Sequence, residues 1–193
     1  MSTDKNPKVA VLMPVYYGER PEFLKESLQS IFEQTYKNLD LHLYQDGSFG
    51  EKLNQVLESF GKRYPNLIVY KNPMQRGSAI CANDMIEKLR SRYVYFARMD
   101  SDDISHPERI SKQVTFLESH PGVDVVGGFI IDVDERVGAD PWRVDREDLF
   151  YANALRDFAN RDSRSCRSAV FTFKHYPFED LNTLFFLSFS VLF

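Results

Sequence analysis

Three carboxylates fall within four residues at Asp100, Asp102 and Asp103, in the run RMDSDD at residues 98–103. Like charges at that density cost free energy unless a cation or solvent compensates them. Side chains at i and i+2 of an extended turn can face one hard cation. Mg²⁺ and Mn²⁺ favour oxygen ligands, and Mg²⁺ commonly takes one or two carboxylates and leaves its other positions to water and phosphate. Asp100 and Asp102 are therefore a candidate metal pair, able to neutralise a diphosphate. The other reading is a solvated acidic turn whose Asp103 caps the next helix. Asp46 stands in Asp46-Gly47-Ser48, which makes a turn readily and could equally present a carboxylate to the N–H of a base. Arg76-Gly77 precedes a helix start, where anions bind well; a surface arginine beside a turn glycine is the alternative. Trp142 is either a satellite-core aromatic or a stacking platform for a sugar. His42 falls inside a strand pattern and reads as packed or edge-exposed. His106, His120 and His175 form no zinc spacing with the cysteines.

Alternating strands and helices must position these groups, and that alternation predicts an α/β domain with a mostly parallel central sheet. Residues 8–16 form a near-continuous apolar run, as expected of a central strand covered on both faces. Pro21 suits a first helical turn, and Phe23, Leu24, Leu28, Ile31 and Phe32 follow at helical spacing. Residues 39–45 alternate as a strand, 51–64 as a second amphipathic helix, and 67–70 as a short third strand. Ser78 can cap a helix running to about residue 90. Residues 93–97 read as a fourth strand, Pro107 as a helix start, and 123–131 as a fifth strand. Residues 145–160 look helical, and 161–167 a basic turn or loop. In open parallel sheets ligands sit beyond the carboxyl ends of the strands. The polar clusters at residues 16–20, 46–48, 72–77 and 100–103 all fall at such ends.

Composition bounds the function. The 193 residues suit one domain, or a domain with a short appendage. Hydrophobic residues at 43% and charged residues at 27% are ordinary globular usage. The net charge of −4 provides no footprint for nucleic acid. An acidic protein that binds an anion needs a metal or a few placed arginines. Cys81 and Cys166 form no C-x-x-C pair, so reduced thiols and a cytoplasmic setting are expected. The start MSTDKNPK lacks a signal-peptide core, and no apolar run reaches the ~18–20 residues of a span. Residues 184–193, LFFLSFSVLF, read as a core element cut off before its natural stop. Such a segment needs cover, from the chain itself, a second copy or the inner face of a membrane.

Taken in order, VAVLMPVYYGER, a helix ending SIFEQTY, then LHLYQDGS, NPMQRGSAICAND and YFARMDSDDISHPERISKQVTFLESHPGVDVVGG resemble the successive blocks of family 2 glycosyltransferases. The match covers residues 8–128, about two-thirds of the chain. The resemblance implies the GT-A fold, a Rossmann-like three-layer sandwich. It also implies an inverting transfer from a nucleotide sugar, expected to be UDP-linked, to a saccharide or lipid-linked acceptor. Surface polysaccharide or glycolipid synthesis is the setting, with Mg²⁺ or Mn²⁺ as cofactor. By the same resemblance, Pro14, Tyr16 and Glu19 line the base and ribose pocket, and Asp46 binds the base. Gln45 stands where the family has the first Asp of its Asp-Asp-Gly-Ser block. Arg76 approaches the base or diphosphate, and Asp100 and Asp102 are the D-x-D pair. Asp180, in Phe178-Glu179-Asp180, is the expected general base. Residues 1–7 are then a flexible tail, 8–131 the nucleotide-sugar-binding core and 132–193 a divergent, incomplete acceptor-side segment.

Three alternatives differ in what they require. A sugar-phosphate nucleotidyltransferase wants a glycine-rich basic loop after the first strand, where this chain has VYYGER with one glycine. A receiver-like phosphoacceptor domain wants its acidic pair after the first strand. A non-catalytic remnant of the family predicts donor binding without transfer.

Overall fold

The structure is a computed structural model that describes residues 6–128, 149–152 and 171–174. Its elements in chain order are β1 (Val9–Tyr16), α1 (Pro21–Phe32), β2 (Leu39–Asp46), α2 (Glu51–Arg63), β3 (Leu67–Tyr70), α3 (Ser78–Leu89), β4 (Tyr95–Arg98), α4 (Arg109–Ser119), β5 (Val125–Gly128), β6 (Leu149–Ala152) and β7 (Phe171–Lys174). Among the described residues the strands form one sheet in the order β3-β2-β1-β4-β7-β5-β6. The four strands from β3 to β4 are parallel. β7 runs antiparallel to both β4 and β5, and β6 antiparallel to β5. The α/β class and the parallel centre are as the sequence predicts.

The side-chain period of a strand sorts β1 into two faces. Val9, Val11, Met13 and Val15 pack with Leu24, Leu28 and Ile31 of α1, with α2 residues Leu53 and Leu57, and with Ile110 and Val114 of α4. Ala10 and Leu12 face the other way, against Met85, Ile86 and Leu89 of α3. The sheet is thus sandwiched between α1, α2 and α4 on one side and α3 on the other. Each fully buried aliphatic side chain contributes roughly 1.5–3 kcal/mol, which explains why β1 is apolar on both faces.

Two expectations need correction. Residues 149–152, inside the stretch expected to be helical, form β6, with Gly127 opposite Phe150 and Val126 opposite Tyr151. A four-residue aromatic run fits a strand as well as a helix, and pairing to β5 decides between them. Ser78 does not cap α3: Gly77 occupies the N-cap with φ +94°, and Ser78 is the first residue of the helix. His42 is packed, 1% exposed, with its ring nitrogens 3.0 Å from the Tyr70 hydroxyl and 3.1 Å from that of Tyr93. Trp142, Cys166, His175, Asp180 and the apolar run 184–193 lie outside the described residues.

Candidate functional site

The chain lays down β1, β2 and β3 in one direction and then returns to place β4 on the other side of β1. That reversal opens a crevice at the carboxyl ends of β1 and β4, where open α/β sheets bind ligands. A cavity of about 280 Å³ lies there. β1 and β2 supply Pro14, Tyr16 and Asp46, which share the α3 face because Pro14 pairs with Tyr44 and Tyr16 with Asp46. Gln75, Gly77 and Ser78 close the side at the start of α3. Asp100, Ser101 and Asp102 form the opposite wall, just past β4.

Asp46 is 3% exposed, and its charge is already engaged. Its Oδ1 accepts the Arg76 backbone N–H at 2.5 Å and its Oδ2 that of Gly77 at 2.9 Å. Charge-assisted bonds of this kind are about twice as strong as neutral ones, so Asp46 moors the loop before α3. Behind it, burial and the nearby Asp46 push the Cys81 thiol up to about 12, which leaves it unreactive. Gln45 donates its Nε2–H to the Gly47 carbonyl at 2.9 Å. An ionised Asp at that position has no proton to give, so Gln45 braces the turn in a way the family residue cannot.

The opposite wall has an excess of negative charge. Burial raises the Asp102 carboxyl above its usual range; a backbone hydrogen bond opposes this, and repulsion from Glu19 and Asp100 adds to it. Burial, then Asp100 and Asp102, push Asp103 up to about 6. Glu19 accepts a hydrogen bond from Ser101 Oγ at 2.5 Å, so it joins this wall although it does not line the cavity. Two arginines offset part of the charge. Arg98 Nη2 lies 3.0 Å from Asp100 Oδ1. Arg109 donates through Nη1 to the Arg98 carbonyl at 3.1 Å, while its Nε and Nη2 are buried without a hydrogen-bond partner among the described residues. Burial works against the Arg109 charge, and Asp103 and Asp100 sustain it.

The residues present fit a hard divalent cation: Asp100 and Asp102 offer oxygen donors on one cavity wall, and their mutual repulsion would be relieved by one. Among the described residues no three His, Cys, Asp or Glu side chains form a closed metal cage. Such a cation would complete its shell with water and phosphate, the usual manner for Mg²⁺.

The structure therefore brings together Pro14, Tyr16, Asp46, Asp100 and Asp102, with Glu19 one contact away. Arg76 is present through its backbone, while its guanidinium pairs with Asp84 of α3, away from the residues that line the cavity. Sequence reasoning missed Gln75, Ser101, Arg98 and Arg109. For Arg98 the signal was available, as a cation two residues before a carboxylate pair.

Residues 10–185 match glycosyl transferase family 2. The chain belongs to this family. Membership accounts for the block order from residue 8 to residue 128. The amylovoran biosynthesis glycosyltransferase AmsE of Erwinia amylovora is 36% identical over 128 residues, covering 65% of this chain and 46% of that protein. The UDP-Gal:alpha-D-GlcNAc-diphosphoundecaprenol beta-1,3-galactosyltransferase of Escherichia coli is 28% identical over 144 residues, covering 70% of this chain and 48% of that protein. The chain spans about half the length of the curated relatives it matches. Among solved structures, the mannosyltransferase PcManGT of Pyrobaculum calidifontis, in complex with GDP-Man and Mn²⁺, superposes with a TM-score of 0.57 at 17% identity, over 88% of this chain and 45% of that one. Staphylococcus aureus TarS 1-349 with UDP-GlcNAc gives 0.52 at 21% identity, over 66% and 34%. These likenesses give the family member a GT-A fold. No helix among its described residues is long and apolar enough to cross a membrane.

Proposed function

We propose that this family 2 member is the donor-binding part of a glycosyltransferase, moving a sugar from a nucleoside-diphosphate sugar to an acceptor hydroxyl in polysaccharide or glycolipid synthesis. The observation that carries the reading is the meeting of Tyr16, Asp46, Asp100 and Asp102 around one cavity at the sheet's reversal point. Pro14 and Tyr16 would flank the base and ribose. Asp46 keeps acceptor capacity beyond its two backbone bonds, since each carboxylate oxygen has two lone pairs, and would take a base N–H. Ser78 opens α3, and beyond the Gly77 N–H that Asp46 holds, the N–H groups of the first helical turn have no intrahelical partner, which suits a phosphate. Asp100 and Asp102 would hold Mg²⁺ or Mn²⁺. When bound, that cation supplies Lewis-acid stabilisation of the departing diphosphate. Asp180 would accept the proton of the attacking hydroxyl in a single inverting displacement. UDP-linked donors are the expected class. A relative named for UDP-Gal and a lipid diphosphate, and a fold neighbour solved with GDP-Man and Mn²⁺, support the donor type and the cation.

Calorimetry with UDP- and GDP-sugars, in Mn²⁺ and in EDTA, tests the donor site; absence of binding to every nucleotide sugar would sink it. Donor hydrolysis, which requires no acceptor, tests turnover. Asp180→Asn should then bind donor like the parent while turnover falls by ~10²-fold or more. A parent that binds donor but never turns over would leave a nucleotide-sugar-binding protein instead.

A further inference from the structure

α1 carries a feature that packing alone does not require. Its core-facing side includes Ser27 and Ser30, and Gln34 follows just past its end; the three are 0%, 7% and 0% exposed. Their spacing of three and four residues puts them on one face, beside Leu24, Leu28 and Ile31. A buried polar side chain costs free energy unless it is bonded, and alanine or leucine would fill the same space without that cost. Each of the three is bonded, and the bonds across the interface go to one segment and to the first turn of the helix that follows it.

That segment is the irregular chain between β4 and α4, which carries the acidic residues. Ser27 Oγ donates to the Asp100 carbonyl at 3.0 Å. Ser30 Oγ accepts the Ser105 N–H at 3.0 Å and donates to the Ser27 carbonyl at 2.7 Å. Gln34 Nε2 donates to the His106 carbonyl at 2.7 Å and lies 3.1 Å from Ser105 Oγ. Its Oε1 accepts the Ile110 N–H at 3.0 Å, satisfying a donor in the first turn of α4, which has no side-chain cap of its own. The backbone is therefore pinned at Asp100 on one side and at residues 105–106 on the other. Asp102 and Asp103 lie on the short arc between these anchors. Fixing both ends of a short arc fixes how far apart its carboxylates can move.

We propose that Ser27, Ser30 and Gln34 are positioning residues for the divalent cation: a polar template on α1 that sets the spacing of Asp100 and Asp102 without touching cation or donor. The inference rests on the cation reading given above. Groups that orient metal ligands from behind typically change metal affinity by about 10–100-fold when removed. The template should act on the cation step alone, because Asp46 and the start of α3 make no bond to these three side chains in their hydrogen-bonding pattern.

The test compares the parent with Ser27→Ala and Gln34→Leu. Mn²⁺ is titrated in the presence of saturating UDP or GDP and followed by electron paramagnetic resonance. Nucleotide affinity is measured separately in EDTA. The expected result is a rise of about tenfold or more in half-saturating Mn²⁺ for each variant, with metal-free nucleotide affinity unchanged. Folded variants that lose thermal stability yet keep the parental Mn²⁺ half-saturation overturn the inference and leave the stripe as a packing device. If Gln34→Leu does not fold, Ser27→Ala decides, since it removes one hydroxyl. A parent that binds nucleotide with no Mn²⁺ dependence overturns the cation reading itself, and the template with it.

Discussion

The two walls of the cavity solve the burial of negative charge in opposite ways. On the α3 side a single carboxylate, Asp46, is matched by two backbone N–H groups of its own chain. On the β4 side Asp100, Asp102 and Asp103 face Glu19 across Ser101, with Arg98 and Arg109 as partial compensation. The first wall is complete without a ligand. The second holds carboxylates that repel one another, which a cation would relieve. On the function proposed above, one wall would be a preformed recognition surface and the other a seat for a cation. A nucleoside diphosphate, with a neutral base at one end and two charged phosphates at the other, has matching halves.

The largest effect should come from breaking the complete wall. Asp46→Ala leaves the Arg76 and Gly77 N–H groups without their acceptor. Losing charged hydrogen bonds costs about 1.5–3 kcal/mol apiece in stability, and loss of the proposed base contact should lower nucleotide affinity by about 1.5–3 kcal/mol in Mn²⁺ and in EDTA alike. Asp46→Asn should be nearly as damaging, because its NH₂ group meets an N–H donor. Calorimetry under both conditions checks this; a loss seen only in Mn²⁺ would mean the walls are not independent. Next comes Asp102→Asn, which keeps shape and removes charge. It should cost about 1.5–3 kcal/mol of nucleotide affinity in Mn²⁺ and little in EDTA, the reverse signature.

β2 carries a third polar group that sharpens the contrast. His42 lies on the same strand face as Asp46 but is satisfied wholly within the fold, between the Tyr70 and Tyr93 hydroxyls, and Tyr93 in turn donates to Asp40. Burial pushes its pKa down from 6.5 to about 4, with Asp40 opposing and Arg92 and Lys8 reinforcing the shift. The unfolded chain therefore binds this proton below about 6.5, whereas the folded chain refuses it until about 4. Stability is complete above that window and falls as pH drops through it, by about 2 kcal/mol once solvent screening is allowed for. Against His42→Gln, which does not titrate, the parent's advantage in denaturant unfolding should shrink by that amount between pH 7 and pH 4. A constant difference would show that the histidine is not held neutral.

Much of this was readable before any coordinates. β1 is a long apolar run, β2 alternates as a strand, α1 and α2 have clear helical periods, and the D-x-D pair and Asp46 stand at strand ends. What escaped has a physical reason in each case. β6 and β7 are four residues long and owe their form to partners distant in sequence, so no local period marks them. Arg109 joins the acidic wall only because α4 folds back beneath β4. The polar stripe at Ser27, Ser30 and Gln34 was legible as an interruption of an apolar helix face, but not its target. Ser78 looked like a cap because the sequence does not reveal that Asp46, a whole strand away, would hold the N–H groups beside it.

The smallest effect, and the sharpest for the comparison, belongs to Gly77. Its φ of +94° is a conformation that L side chains rarely adopt, and its N–H is one of the two that satisfy Asp46. A Cβ built there meets no described residue within 4 Å. Gly77→Ala therefore isolates the backbone cost, about 1–3 kcal/mol for a non-glycine residue held at φ +94° and ψ +147°, close to a region that glycine alone populates. Gly47, at φ +98°, is the control: its added Cβ would lie 2.8 Å from Tyr17 Cδ1, so strain and clash add and the loss should be larger. If the α3 wall is preformed by backbone geometry, Gly77→Ala should lower stability and metal-free nucleotide affinity together. Half-saturating Mn²⁺ should stay at the parental value, since nothing on the acidic wall has moved. Denaturant unfolding, calorimetry in EDTA and the Mn²⁺ titration supply the three readings. A shift in the Mn²⁺ midpoint comparable to the loss in nucleotide affinity would join the two walls into a single unit, and the division of labour between them would have to be abandoned.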